Sequence, residues 1–295
     1  MVFKVDRPTK LLEFLLTSPA AVKKTVLKQR LKHGAVSVNG RVETRFDHAL
    51  GPGDEVRVET RKAGPAAGAL EFNLEIFYED DSLLVVSKPA GLLTIATDKI
   101  QRRTAIHAVN DYLNQKAAAR ARRPRYGKRA FIVHRLDRDV SGLLLFAKSE
   151  EVKLWLQENW HRFTKEYLAV VEGSPGRRSG TLSSYLEQNK ILRVFSSSPA
   201  AGPGGKWAVT HFEVLKPGEK YSLLKVRLET GRKHQIRVHL SDLGHPVAGD
   251  KDYGAKTDPL ARIALHAWRL QFTHPLTGKN LVLTSPLPVS LERLL

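Results

Sequence analysis

FIVHRLDRDVSGLLLFAKS, residues 131 to 149, sets five ionisable side chains into six positions: His134, Arg135, Asp137, Arg138 and Asp139. An apolar entry precedes them, and the strongly apolar run that follows reads as a buried strand. A loop anchored between buried strands holds its side chains more firmly than a free loop does. Guanidinium groups on both sides of Asp137 favour its carboxylate form, and a carboxylate fixed as an anion can serve as nucleophile or base. A surface ion-pair cluster accounts for the same residues equally well.

Outward from this segment the chain is rich in strands. LEIFYEDDSLLVVSKP, residues 74 to 89, has two apolar runs around Glu79, Asp80 and Asp81, the pattern of a hairpin. Downstream, EYLAVVEG, AVTHFEVL, SLLKVRLET, ALHAWRLQF and NLVLTS read as further strands. Helices fit Thr104 to about Ala121 and Glu150 to Phe163, the second with Ser149 as N-cap. Strands outnumber helices without a regular βαβ alternation, so the expected class is α+β with a mainly antiparallel sheet and flanking helices. RKAGPAAGAL, Arg61 to Leu70, is rich in Ala, Gly and Pro and marks a boundary. The expected division is a domain over 1–62, a linker over 63–70 and a second domain over 71–295. FSSSPAAGPGGK, residues 195 to 206, is poor in order-promoting residues and reads as mobile.

Ahead of the linker, Leu11, Leu12, Leu15 and Leu16 fall at helical spacing, as do Val22, Val26, Leu27 and Leu31. Lys23, Lys24, Lys28, Arg30 and Lys32 decorate the second of these helices. Gly34 can cap its end, and AVSVNG leads into an Asn39-Gly40 turn that favours a hairpin. A basic helix beside a small sheet suits docking on RNA; a solvated Lys-rich face fits as well. Between Arg102 and Arg129 nine Lys or Arg residues stand against one acid, Asp111. The densest part holds Arg125, Lys128 and Arg129 around Tyr126, a combination able to follow a phosphate backbone and stack a base. A solvated loop is the plainer reading.

The 48 Lys and Arg against 30 Asp and Glu leave a net charge of +18. Such a field captures polyanions, so nucleic acid leads the expected partners, although a membrane surface or an acidic partner also suits the charge. The chain has no cysteine, which excludes disulfides, thiolate metal sites and cysteine nucleophiles. MVFKVDRPTK has no apolar leader core, and no run approaches the roughly 18 apolar residues of a membrane span. A cytoplasmic, monomeric protein without membrane contact is expected.

LETGRKHQIRVHLSDLGHP, residues 228 to 246, is the second constellation. Thr230-Gly231 makes a turn after a strand. Ile236, Leu240 and Leu243 then have helical spacing, with Gly244 and Pro246 where the helix should stop. His234, Arg237 and Ser241 fall on another face. Four histidines lie between His234 and His266, but no HExxH or comparable ligand set appears, so no metal is expected. Arg237 reads better as a guanidinium that pairs with a carboxylate or phosphate. Tyr167, at the start of an apolar strand, suits either packing or stacking on an extruded base.

Taken together these segments resemble the RluA-type family of pseudouridine synthases. HRLDRDVSGLLLFAKS looks like its central motif, KEYLAVVEG like its tyrosine-bearing strand, and TGRKHQIRVHLSDLGHPVAGDKDYG like its arginine-bearing motif. YEDDSLLVVSKPAGLL, IALHAWRLQFTHPLTGK and, more weakly, GKWAVTHFEVL also fit, in the family's order over most of residues 70 to 290. Val140 departs from the pattern, where the family usually carries threonine. Residues 8 to about 60 resemble the small αL-type RNA-binding domain of ribosomal proteins and tyrosyl-tRNA synthetases.

The resemblance implies the pseudouridine synthase fold and a cofactor-free isomerisation of uridine in structured RNA, either ribosomal or transfer RNA. It implies that Asp137 acts at the ribose, covalently or as a base, that Arg237 orients Asp137, and that Tyr167 stacks on the uracil. It further implies that Arg135 displaces or replaces the flipped nucleotide. His134, Arg138, Lys24, Lys28, Arg30, Arg125, Lys128 and Arg129 are the remaining expected RNA contacts. Two competitors remain at this point: a non-catalytic RNA-binding or ribosome-assembly protein, and an acid-based glycosidase or nuclease. The first leaves HRLDR unexplained, and the second wants another carboxylate or a metal.

Overall fold

The computed structural model describes residues 2–18, 27, 31, 36–58, 69–70, 72, 74–98, 100–120, 129–197 and 204–295. The chain divides into two compact units, Met1–Ala66 and Ala67–Leu295. In the first, β1 (Val2–Lys4), β3 (Val36–Val38), β4 (Arg41–Val42) and β6 (Glu55–Val58) form an antiparallel sheet in the order β1-β6-β3-β4, while β2 (Thr9–Lys10) pairs with β5 (Ala49–Leu50). Leu11, Leu12 and Leu15 of the helix Leu11–Thr17 are buried with Leu27, Leu31, Val36, Val38, Val56 and Val58. Asn39 and Gly40 take the two positive φ values, 49° and 78°, that a tight hairpin turn demands. The Asn39 amide also bonds Asp54 at 2.8 Å and closes the turn onto β6. Lys23, Lys24, Lys28, Arg30 and Lys32 of the expected basic helix lie outside the described residues.

Among the described residues of the second unit, twelve strands join in one sheet. They are β7 (Ala69–Leu70), β8 (Leu74–Glu79), β9 (Leu83–Lys88), β10 (Phe131–Ile132), β11 (Ser141–Ala147), β12 (Thr164–Glu172), β13 (Ser179–Gln188), β14 (Val194–Ser197), β15 (Lys206–Lys216), β16 (Tyr221–Leu228), β17 (Leu265–Thr273) and β18 (Asn280–Thr284). The order is β14-β13-β15-β16-β12-β17-β11-β9-β8-β7, with β10 on β11 and β18 on β17. Among the described residues the parallel strand pairing is β11 with β17; the other ladders are antiparallel. The class is therefore α+β.

Central strands are buried on both faces, which explains their near-continuous apolar runs. Leu84, Val86, Leu144 and Phe146 pack with Ala105, Ala108, Val109 and Leu113 of the helix Ala105–Arg120, in a cluster that also takes Ile236 and Leu240. Their neighbours Leu83, Val85, Leu143 and Leu145 pack with Val152 and Leu156 of the helix Glu150–Glu158 on the opposite face. Each such buried side chain contributes roughly 1.5–3 kcal/mol. Gly142 marks where β11 and β17 come closest: a Cβ there would lie 2.2 Å from the Ala267 carbonyl oxygen.

Three expectations need correction. Ala69 and Leu70, read as the end of the linker, pair with Glu75 and Leu74 as an edge strand. The helix after Ser149 ends at Glu158 rather than Phe163, and a 3₁₀ turn, Trp160–Arg162, follows. The Ser149 cap itself is present, its hydroxyl accepting from the Val152 amide at 3.3 Å. Phe195 to Ser197, read as mobile, belong to a strand paired with Tyr185 to Glu187. β13 went unread because Ser and Thr fill its exposed positions and hide the apolar alternation. Among the described residues no helix is long and apolar enough to cross a membrane.

Candidate active site

Asp137 lies between β10 and β11, in a loop held by its backbone on both sides of the carboxylate. On one side Thr94, 2% exposed, donates its hydroxyl to the Leu136 carbonyl at 2.8 Å and accepts from the Leu136 amide at 3.2 Å. On the other, the Arg138 carbonyl accepts from the Gly91 amide at 2.8 Å and from the Lys88 ammonium at 3.0 Å. Lys88 is wholly buried and also donates to the carbonyls of Pro89 and Leu92. Burial pushes its ammonium down to about 7, while the Asp139 and Asp137 carboxylates pull the other way. The strand end and turn over residues 88–94 thus grip the residues before and after Asp137. Val140 is buried in the core, and its amide donates to the Asp137 carbonyl at 3.2 Å, so the departure at this position falls where the side chain packs among apolar groups.

The helix Gln235–Asp242 brings the second constellation to this loop. The Gln235 side chain organises the turn ahead of it, accepting from the Thr230 hydroxyl and the Arg232 amide. Arg237, 5% exposed, donates Nη1 to Asp137 Oδ2 at 3.3 Å. Its shorter bonds go to Asp250, from Nε at 2.7 Å and Nη2 at 2.8 Å, with a further bond to Asp252 at 3.1 Å. The Tyr253 ring lies under the guanidinium at 4.7 Å. Burial opposes the charge on Arg237, but the bonds and charge of Asp250 and then the Asp137 carboxylate outweigh it and hold the group cationic. Fork-to-fork pairing with a buried carboxylate fixes a guanidinium in orientation as well as in charge. The expected Arg237–Asp137 pair is therefore the weaker arm of a cluster whose anchor is Asp250.

His234 Nε2 stands 3.7 Å from Asp137 Oδ2, and its Nδ1 shares a hydrogen bond of 2.8 Å with the Tyr253 hydroxyl. Burial holds this imidazole below its ordinary range against the pull of Asp137. Tyr167, on β12 at a bulge in the β12–β17 ladder, packs against the main core. A bulge re-aims a side chain out of the regular pleat. Burial, and then the Asp137 charge, push the Tyr167 hydroxyl well above its usual range and keep it neutral. A fixed guanidinium, a partly exposed carboxylate and an imidazole therefore meet at one place, and the Asp137 charge reaches the neutral phenol of Tyr167.

The other expected RNA-facing residues divide. Arg135, Arg138 and Arg129 are exposed or partly so; Arg138 Nε also donates to the Gly91 carbonyl at 3.3 Å. Arg125 and Lys128 lie outside the described residues. His134 is occupied within the fold: its Nε2 accepts from the Leu145 amide at 3.0 Å and its ring stacks on Trp160 at 4.3 Å. It thus braces the loop from within the fold. Of the remaining histidines, His239 bonds the Thr210 and Ser184 hydroxyls, His245 the Glu172 carbonyl and His266 the Ser141 hydroxyl. Among the described residues no group of three or more His, Cys, Asp or Glu could hold a metal ion. The sequence reading missed Lys88, Thr94, Asp250 and Tyr253. The last two stand in the quoted GDKDYG stretch, but only the fold shows that they return to Arg237.

Residues 82–242 match the family model described as RNA pseudouridylate synthase, a span that takes in Asp137, Tyr167 and Arg237. The chain belongs to the RluA-type RNA pseudouridine synthases. Like the family it is an isomerase acting on RNA. The uncharacterized RNA pseudouridine synthase YhcT of Bacillus subtilis is 32% identical over 287 residues, 95% of this chain and 90% of that protein. The ribosomal large subunit pseudouridine synthase D of Nitrosomonas europaea is 39% identical over 233 residues, 75% of this chain and 64% of that protein. Among solved structures, human RNA pseudouridylate synthase domain containing 1 aligns with a TM-score of 0.57 at 25% identity, covering 76% of this synthase and 86% of that chain.

Proposed function

We propose that this synthase isomerises a uridine of ribosomal RNA, with Asp137 as the group that acts at the ribose. Relatives named for the ribosomal large subunit support the choice of RNA, and such a substrate goes with a cytoplasmic setting. One observation carries the assignment to Asp137. Its carboxylate is held at an intermediate depth in the ionic cluster around Arg237: its side chain is 34% exposed, against 5% for Arg237 and 1% for Asp250, whereas Asp252 at 76% lies largely in solvent. Asp250 already neutralises Arg237, so Asp137 is oriented by the guanidinium without being consumed in a closed pair.

In the proposed reaction the target uridine leaves the stack, at a cost of a few kcal/mol, and Arg135 fills the space. Asp137 acts at the ribose as the bond from C1′ to uracil N1 breaks. The uracil turns while held on the Tyr167 ring and rejoins C1′ through C5, and the C5 proton is then lost. Burial around the site keeps the free base from escaping during the turn. The unit Met1–Ala66 contributes RNA affinity through Lys24, Lys28 and Arg30, and the basic stretch at Arg125, Lys128 and Arg129 follows the phosphate backbone. The test is tritium release from ribosomal RNA labelled at uridine C5. Asp137→Asn should abolish release while RNA affinity stays within several-fold of the parent; near-normal release would refute the assignment.

A further inference from the structure

The two strands that were hardest to read in the sequence, β13 and β14, carry a surface that the reaction does not use. Tyr185 on β13 pairs with Trp207 on β15, and Glu187 pairs with Phe195 on β14. Leu186, Val194 and Ala208, the alternate residues, are buried with Val238 and Tyr253 on one face. By the period of the pleat, Tyr185, Phe195 and Trp207 therefore project from the other face. Trp207 is 46% and Phe195 41% exposed. The Trp207 and Tyr185 rings meet edge-on at 5.1 Å and 61°.

Cations border these rings. Arg232 donates Nε to the Trp207 carbonyl at 3.0 Å, and Lys233 donates to the Leu192 carbonyl at 3.0 Å, so both side chains are tied to this hairpin region. The nearby acid Glu187 is engaged by the Ser197 hydroxyl at 2.8 Å. Arg232 and Lys233 immediately precede His234, which faces Asp137 at 3.7 Å. The aromatic surface lies on the face of the sheet opposite Tyr253, and Arg232 and Lys233 form a short cationic stretch of chain between its edge and the candidate active centre.

We propose that Trp207, packed edge-on against Tyr185 with Phe195 on the far side of that strand, is a stacking platform for an unpaired nucleobase of the substrate RNA. Arg232 and Lys233 hold phosphates between that base and the target uridine. The proposal rests on the RNA-isomerase reading and narrows its substrate to RNA whose strand beside the target is single-stranded. Aromatic rings standing on a sheet take bases only where a base offers a free face, and every unpaired base has one. Bordering cations favour a polyanion over an apolar protein partner.

The test uses the full chain and three probes labelled with fluorescein: a ten-nucleotide single-stranded RNA, the same oligomer with abasic sites in place of its bases, and the duplex form. By anisotropy, the parent should prefer the single strand over the abasic oligomer and the duplex. Trp207→Ala should bind the single strand about five- to 150-fold more weakly, the range expected for one stacked base, and should lose that preference. Trp207→Phe should retain it, which separates stacking from misfolding. Undiminished affinity and preference in Trp207→Ala would overturn the platform. So would equal RNA binding accompanied by a change in sedimentation, which would assign the surface to a second copy of the chain. Tritium release by the parent is measured separately. Its absence alongside Trp207-dependent binding would sink the isomerase reading and leave the stacking surface standing.

Discussion

Thr94→Val tests whether the grip on the loop that carries Asp137 governs chemistry or only stability. Valine nearly matches threonine in shape, so the change opens no cavity and removes only the hydroxyl. That hydroxyl makes two bonds to Leu136, the residue before Asp137, at 2.8 and 3.2 Å. Thr94 is 2% and Leu136 6% exposed, so water does not readily replace either bond. A buried polar group left unpaired costs about 1–3 kcal/mol. If the loop stays in place, the two Leu136 groups together cost about 2–6 kcal/mol of folding stability and activity changes little. If the loop moves to recover hydrogen bonds, the stability loss shrinks and Asp137 moves with it. A displacement of about 1 Å is enough to cost on the order of 100-fold in rate. The loop is tied to Lys88 and Gly91 at Arg138, so a pivot about that tie is the expected response. The variant should lose under about 2 kcal/mol in urea unfolding and about 10- to 100-fold in kcat for tritium release. Thr94→Ser keeps the hydroxyl and should restore both. A kcat within about twofold of the parent, with stability down by the full amount, would refute the positioning argument.

Two other outcomes are expected. Burial, and then the Lys165 charge, hold the His134 imidazole down at about 3. As pH falls below about 6.5 the unfolded chain takes up this proton before the folded one does, so stability is complete above that pH and declines towards pH 3 by up to about 1.4 kcal/mol per pH unit. His134→Gln preserves an acceptor for the Leu145 amide without titrating, and urea unfolding between about pH 6 and pH 4.5 should show a correspondingly shallower decline; an identical slope would mean His134 is not buried neutral. Exchanging Lys24, Lys28 and Arg30 together for glutamine should flatten the plot of log affinity for RNA against log salt by about 2–3, close to one for each phosphate no longer neutralised. An unchanged plot would remove that segment from the interface.

The fold was legible where burial writes a pattern. β9 and β11 are covered on both faces, so they read as unbroken apolar runs. The helix at Gln235 declared itself through Ile236 and Leu240 facing the core and through Gly244, whose φ of 86° ends it. β13 has one solvated face bearing Thr181, Ser183 and Tyr185, and that composition is equally at home in a loop. The short β14 disappeared into a Ser-rich run for the same reason. Stretches whose side chains are as suited to a loop as to a half-exposed strand are the ones that reading along the chain loses.

The site was legible in its charged residues and illegible in what holds them. Asp137 and Arg237 stood out because ionised groups beside apolar runs are conspicuous in one dimension. Asp250, Lys88 and Thr94 did not, because their work depends on proximity across 13, 50 and 42 residues of chain to Arg237, Arg138 and Leu136. The asymmetry has a physical basis. A group that acts on substrate must remain partly open, and Asp137 is. The groups that fix it must be desolvated to be stiff, so they are buried and bonded to backbone or to one another. Arg237 joins the two sets: its Nε and Nη2 are anchored to Asp250 while Nη1 is left for Asp137. An arginine with only Asp137 for a partner would follow that carboxylate wherever it moved. One already locked to Asp250 makes the carboxylate come to it, which is the condition a positioned anion at the ribose requires.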